Sequence, residues 1–167
     1  MTILKVLQYP DPFLKEVADD VQAAEINDAF RKTINDMFET MYQESGGGLA
    51  ATQVGIKKRF FIMDASEKKD QRIVAINPEI IEEKGEIIDE EGCLSFPGVF
   101  AKVKRAEWVK MKALDENGEV FEMESDGYLG RCMQHELDHL NGITYFDHLS
   151  PLKRKMIEKK YKKVNQD

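Results

Sequence analysis

Residues 125–142, SDGYLGRCMQHELDHLNG, constrain the fold of this chain more than any other stretch. Ser125 and Asp126 are N-cap candidates and Asn141-Gly142 is a stop signal, so the spacing predicts a helix between them. On that helix His135, Glu136 and His139 form an H-E-x-x-H pattern, with two imidazoles one turn apart on one face. A catalytic metal takes three protein ligands and keeps one position open. The rest of the chain must therefore fold so as to bring a third donor to this helix.

The segments upstream show how that can happen. Residues 25–44 place Ile26, Phe30, Ile34, Met37, Phe38 and Met41 at helical spacing. Three consecutive glycines, Gly46 to Gly48, end that element. RFFIMD and IVAINP read as short strands, and EIIEEKGEIIDEEGC as two strands around Lys84-Gly85. EWVKMKALDENGEVFEME is a hairpin signature with Glu-Asn-Gly at its turn. Downstream, Leu152, Met156, Ile157 and Tyr161 give residues 150–167 an apolar stripe among lysines. The order predicts an α+β fold: mostly antiparallel β-sheets around a central metal-binding helix, with N-terminal and C-terminal helices. At 167 residues, without repeats or a low-complexity linker, one domain over 1–167 is expected.

The third ligand can be sought by elimination. One family of H-E-x-x-H proteases places a third histidine six residues after the second, where this chain has Tyr145. Another uses a downstream glutamate, and the only one after Glu136 is Glu158, among the lysines of the tail. Cys132 shares the helix face, but it lies about 10.5 Å along the axis from His139, too far for a short side chain to join both histidines on one ion. Cys93 remains, in EEGCLSFPG, where a preceding glycine and a following proline mark a constrained turn. A buried structural thiol is the alternative reading of Cys93.

Three motifs together, GGGLAATQ (46–53), EGCLS (91–95) and QHELDH (134–139), resemble those of peptide deformylases in order and spacing. The likeness runs from VLQYPDPFLKEVA near the N-terminus to HLSPLKRK. It implies a metallohydrolase that removes the N-formyl group from the initiator formyl-methionine of nascent polypeptides and releases formate. It implies that Cys93, His135 and His139 hold one divalent ion, iron in the cell, with zinc, nickel and cobalt as possible occupants. Glu136 would be the general base and then the acid, with the Gln53 amide and the Leu94 N–H as oxyanion donors. Gly46, Gly47 and Gly48 would line the bound peptide as it adds a strand beside them. Phe96, Tyr128, Arg131 and Cys132 would line the substrate pocket. Glu91 and Arg105 would pair to fix the cysteine loop, and Asp138 would orient a ligand.

The chain departs from the usual family pattern around that pocket. Gly47 stands where many members carry isoleucine, Tyr128 where leucine is common, and Phe100 where many bacterial members have arginine. Asp89 and Arg131 fall at positions that are often apolar, and a pairing of these two across the pocket mouth is expected.

Charge bears on partners and compartment. Residues 150–167 carry seven Lys/Arg against two acids, a net of +5, which leaves −12 on residues 1–149 from a total of −7. The acidic body argues against general nucleic-acid binding, including specific DNA binding, and the basic tail suggests a local dock for something anionic. The family resemblance makes that dock the ribosome near the exit tunnel. No apolar run approaches the roughly 20 residues that span a bilayer, and the start has no signal-peptide pattern, so a cytoplasmic protein is expected. An H-E-x-x-H endopeptidase and a structural metal site in a ribosome-associated binding protein are the alternatives.

Overall fold

The computed structural model describes residues 2–166. Its main body is a five-stranded antiparallel sheet lying between two helices. In chain order the elements are α1 (Asp28–Gln43), β1 (Gly48–Ala50), β2 (Phe60–Met63), β3 (Ile73–Lys84), β4 (Ile87–Glu91), β5 (Ala101–Arg105), β6 (Trp108–Leu114), β7 (Val120–Asp126), α2 (Gly127–Leu140) and α3 (Pro151–Val164). The strands pair as β1-β2-β3-β6-β7 and, in a separate two-stranded sheet, as β4-β5. This is the expected α+β architecture.

Strand alternation divides the core. Leu49, Phe60, Ile62, Val74 and Ile76 point to one face and bury Ile34, Met37, Phe38 and Met41 of α1. Ala50, Phe61, Met63, Ala75, Val109 and Met111 point to the other and receive Cys132, Met133 and Leu140 of α2. Successive residues of a strand face opposite sides, so β2, covered on both, is an unbroken apolar run. Helix α1 starts later than the apolar pattern does, because Asn27 caps it by accepting the Phe30 N–H at 2.9 Å.

One strand reading changes. IVAINP and EIIEEK are one strand, β3, interrupted by a register shift between Ile76 and Glu79 that accommodates Pro78. Asn77 takes φ 51° there, and its side chain bonds both the N–H and the C=O of Val21. The strands on either side of Lys84-Gly85 exist but do not pair with each other: β3 pairs with β6, and β4 turns away to pair with β5. The β6–β7 hairpin forms as the sequence suggests.

Helix α2 follows β7 without a loop. A Cβ at Gly130 would lie 2.5 Å from the Ser125 carbonyl, so only glycine lets the first turn of α2 close so tightly on the strand. Asp126 occupies the N-cap position without a side-chain capping bond. Helix α3 is capped by Ser150 and has Pro151 in its first turn. Its Tyr161 is buried with Phe96, Val103, Tyr145 and Phe146, and donates its hydroxyl to the Tyr9 carbonyl at 2.7 Å. Among the described residues no helix is long and apolar enough to cross a membrane.

Candidate metal centre

Helix α2 buries its histidine face toward the turn that follows β4, and there Cys93 meets the two imidazoles. One donor atom each from Cys93, His135 and His139 lies within 4.8 Å of the others. Cys93 Sγ is 3.4 Å from His139 Nε2. His135 uses Nδ1 to contact Glu91 Oε1 at 2.8 Å, which leaves Nε2 for the centre. Thiolate and imidazole donors at this spacing suit one zinc- or iron-like ion, and three of them leave a coordination position open. Cys132 packs in the core and is not among the donors. Glu158 is not among them either, since it accepts the Tyr9 hydroxyl at 2.6 Å.

Glu136 is buried beside these donors, and its Oε1 has no hydrogen-bond partner among the described residues. Burial pushes its carboxyl up to about 7; the charge on His135 opposes that rise and the Glu91 carboxylate adds to it. A buried oxygen left unpaired is costly unless a ligand meets it. Burial lowers His139 well below the usual histidine value, with the charge on His135 acting in the same direction. Burial also opposes charge on His135, but Cys93 and Glu91 outweigh it and raise that imidazole.

Gln53 approaches from the turn after β1. Its Oε1 accepts the Ala50 N–H at 2.9 Å, which turns Nε2 toward Ser95 Oγ at 3.1 Å and Cys93 Sγ at 3.6 Å. The Leu94 N–H has no acceptor among the described residues. Gly46, Gly47 and Gly48 lie along a cleft of about 1000 Å³ that also reaches Cys93, His135 and Glu136. A Cβ at Gly48 would fall 2.6 Å from Cys132 Sγ and 2.8 Å from Glu136 Oε2, so the absence of a side chain there keeps room for the glutamate.

The expected Glu91–Arg105 pair is present and buried, with Arg105 Nε 2.8 Å from Glu91 Oε2. The two guanidinium contacts and the His135 contact hold the Glu91 carboxyl well below the usual range, against a burial cost that would raise it. Arg105 also reaches Asp138, which bonds His148 at 2.7 Å. Asp138 therefore steadies Arg105 and bonds no ligand imidazole directly, contrary to the expected role of orienting a ligand; it lies roughly 100° around the helix from His139. Phe96 lines the cleft from a fully buried aromatic cluster, with its ring centroid 4.3 Å from that of Phe146. Tyr128 and Phe100 line the mouth and are largely exposed.

The expected Asp89–Arg131 pairing does not form. Arg131 bonds Glu91 instead, together with the carbonyls of Val103 at 2.9 Å and Ile87 at 3.1 Å. Asp89 and Glu91 share a face of β4, but only Glu91 reaches under α2, and Asp89 stays exposed. Sequence reasoning also missed Ser95, two residues after Cys93, and Gln134, whose amide exchanges two hydrogen bonds with the Ala106 backbone.

Comparison with known proteins agrees with this geometry. Residues 3–155 match the family model of polypeptide deformylase. The peptide deformylase of Chromobacterium violaceum is 52% identical over 163 residues, covering 98% of this chain and 96% of that protein. That of Tolumonas auensis is 52% identical, covering 98% and 97%. The crystal structure of a Legionella pneumophila peptide deformylase superposes with a TM-score of 0.95 at 45% identity, covering 99% of this chain and 96% of the other. The Ehrlichia chaffeensis enzyme, solved in complex with actinonin, gives 0.92 at 36% identity over 100% of both chains. With the motifs, the fold and the Cys-His-His group in agreement, the chain belongs to the polypeptide deformylase family.

Proposed function

We propose that this deformylase hydrolyses the N-formyl group of formyl-methionyl peptides at an ion held by Cys93, His135 and His139. The observation that carries the reading is the close group of those three donors with a buried, unpartnered Glu136 oxygen beside it. When bound there, a divalent ion supplies Lewis acidity toward water and toward the formyl carbonyl. Glu136 takes the proton of the attacking water at Oε1 and returns it to the departing amine. The Gln53 Nε2 donor and the Leu94 N–H face the developing negative charge on the formyl oxygen, and preorganised donors of that kind are typically worth about 3–4 kcal/mol each. Ser95, by accepting from Gln53, holds that amide in place.

The peptide adds as a strand along Gly46–Gly48, since β1 ends the five-stranded sheet and no other strand covers its outer side among the described residues. Phe96, Tyr128, Arg131 and Cys132 border the space for its side chains. Iron is the proposed native ion, with zinc, nickel and cobalt able to occupy the same soft donor set. The proposed compartment is the cytoplasm, where nascent formylated chains are made, with no role on membranes and no specific DNA binding. Helix α3, with Lys155, Lys159, Lys160 and Lys163 exposed, docks near the ribosomal exit tunnel.

Anaerobic incubation with Fe2+ or Co2+ and formyl-Met-Ala-Ser, with formate measured, tests the reaction. Release by the wild type and loss in Cys93→Ala are expected; cleavage of internal peptide bonds without formate would refute it. For the docking claim, Lys155→Glu with Lys159→Glu and Lys160→Glu should weaken ribosome binding and flatten its salt dependence, leaving short-peptide turnover intact. Unchanged ribosome affinity would refute that part.

A further inference from the structure

The thiol and the imidazoles of the centre belong to different pieces of the fold. Cys93 follows β4, and neither β4 nor β5 pairs with the larger sheet on which α2 lies. What joins the two pieces near the centre is a set of side chains. Arg105 projects from β5, grips Glu91 at the end of β4, and crosses to Asp138 on α2. Arg131 runs the other way: it projects from α2 and reaches Glu91, the β5 carbonyl of Val103 and the β4 carbonyl of Ile87. Glu91, two residues before Cys93, also bonds His135, four residues after Arg131.

We propose that Arg131 is a positioning residue for the metal ligands: it completes a two-arginine brace that fixes the Cys93 turn against helix α2. The inference rests on the functional reading above. A guanidinium presents donors in a fixed planar fork, so one side chain can hold a carboxylate and two carbonyls at once. With those three acceptors Arg131 is turned into the protein, and it is almost fully buried. It therefore does not offer a free charge to the peptide, although it borders the substrate cleft. Losing it leaves Arg105 as the one guanidinium on Glu91 and removes a donor from two carbonyls of the small sheet. The Cys93 turn can then drift from the histidines while the larger sheet stays intact.

The experiment compares Arg131→Ile and Arg131→Lys with the wild-type protein loaded with Co2+. The readouts are the rate of Co2+ release to a chelator, the thiolate-to-cobalt absorption band, and kcat and KM for formyl peptides with different first side chains. Partners that orient a metal's ligands typically change affinity or activity about 10- to 100-fold when removed. Release about tenfold faster or more in Arg131→Ile is expected, with an altered cobalt band, lower kcat and little change in KM or in side-chain preference. Arg131→Lys keeps a charge against Glu91 but cannot span all three acceptors, so it should fall between the two and serves if the isoleucine variant does not fold. The effect should shrink when Glu91→Gln is already present, because the brace acts through that carboxylate. Release and spectrum at wild-type values in both variants, or a changed side-chain preference with unchanged release, would overturn the proposal. A wild-type protein that binds no Co2+ through Cys93 would instead refute the functional reading on which it rests.

Discussion

The Tyr128 hydroxyl occupies the space over β1 that a side chain on Gly47 would need. A Cβ at position 47 would lie 2.3 Å from that oxygen and 3.0 Å from the ring. The two departures from the usual family pattern at these positions are therefore one feature, an aromatic ring set against a glycine. Tyr128 is 61% exposed and lies outside the buried clusters, so a larger residue at 47 should displace the ring without breaking the core. Gly47→Ile alone should raise KM for formyl tripeptides several-fold, and adding Tyr128→Leu should restore it. Contacting pairs typically show coupling of about 0.5–3 kcal/mol, so kcat/KM across the four variants reads the effect directly. Strict additivity would show that the two residues act independently.

Glu136→Gln should keep its metal and lose turnover. The amide preserves shape but cannot take a proton, and general acid–base groups contribute about 100- to 10,000-fold. Metal content by elemental analysis and formate release, measured on the same sample, separate binding from chemistry. A variant with more than a tenth of wild-type activity would remove Glu136 from the proton-transfer role.

Gly48→Ala should be damaging although the change is a single methyl. Its Cβ would press on Cys132 Sγ and on Glu136 Oε2 from one side. Overpacking of this kind costs about 1–3 kcal/mol. The denaturant midpoint should fall, and activity should fall further than the stability change explains, because Glu136 is pushed. Cys132→Ala in the same chain should recover stability more than activity.

Alkaline pH should loosen the tie between α1 and the segment after β2. Burial and the hydrogen bond to Asp64 raise the Tyr42 hydroxyl to about 12, from an ordinary value of 10.0. A group whose folded value is raised stabilises the protein fully below its unfolded value and loses that contribution as pH climbs through the folded one. This part of the stability is therefore complete below pH 10 and lost between about 10 and 12. Urea midpoints at pH 9 and 11 should differ less in Tyr42→Phe than in the wild type. Equal pH dependence in the two proteins would remove Tyr42 from the account.

Much of this site can be seen in the sequence, because helical spacing is a local property. His135 and His139 had to share a helix face with Glu136 next to the first of them, and the short reach of Cys132 pointed to Cys93. The remainder depends on how far each strand extends beneath the helix. Nothing local in IIDEE separates the exposed Asp89 from the buried Glu91 that Arg131 takes, since both lie on one face of β4. The same holds for Asp138, whose partner Arg105 comes from a strand 33 residues earlier in the chain. Pro78 looked like the end of a strand, and the bulge at Asn77 absorbs it. Side-chain partners across separate sheets are a tertiary property, and that is where the sequence-based expectations needed correction.

The open side of β1 has a further consequence, for solubility. An uncovered strand edge is a template on which a second chain can add and begin to aggregate. Here the strand is three residues long, Gly48–Ala50, and it borders a cleft overhung by Tyr128 and Leu94. So short a strand, set back in a recess, offers few backbone groups to the edge of a folded neighbour, while the extended peptide proposed as substrate needs no more than that.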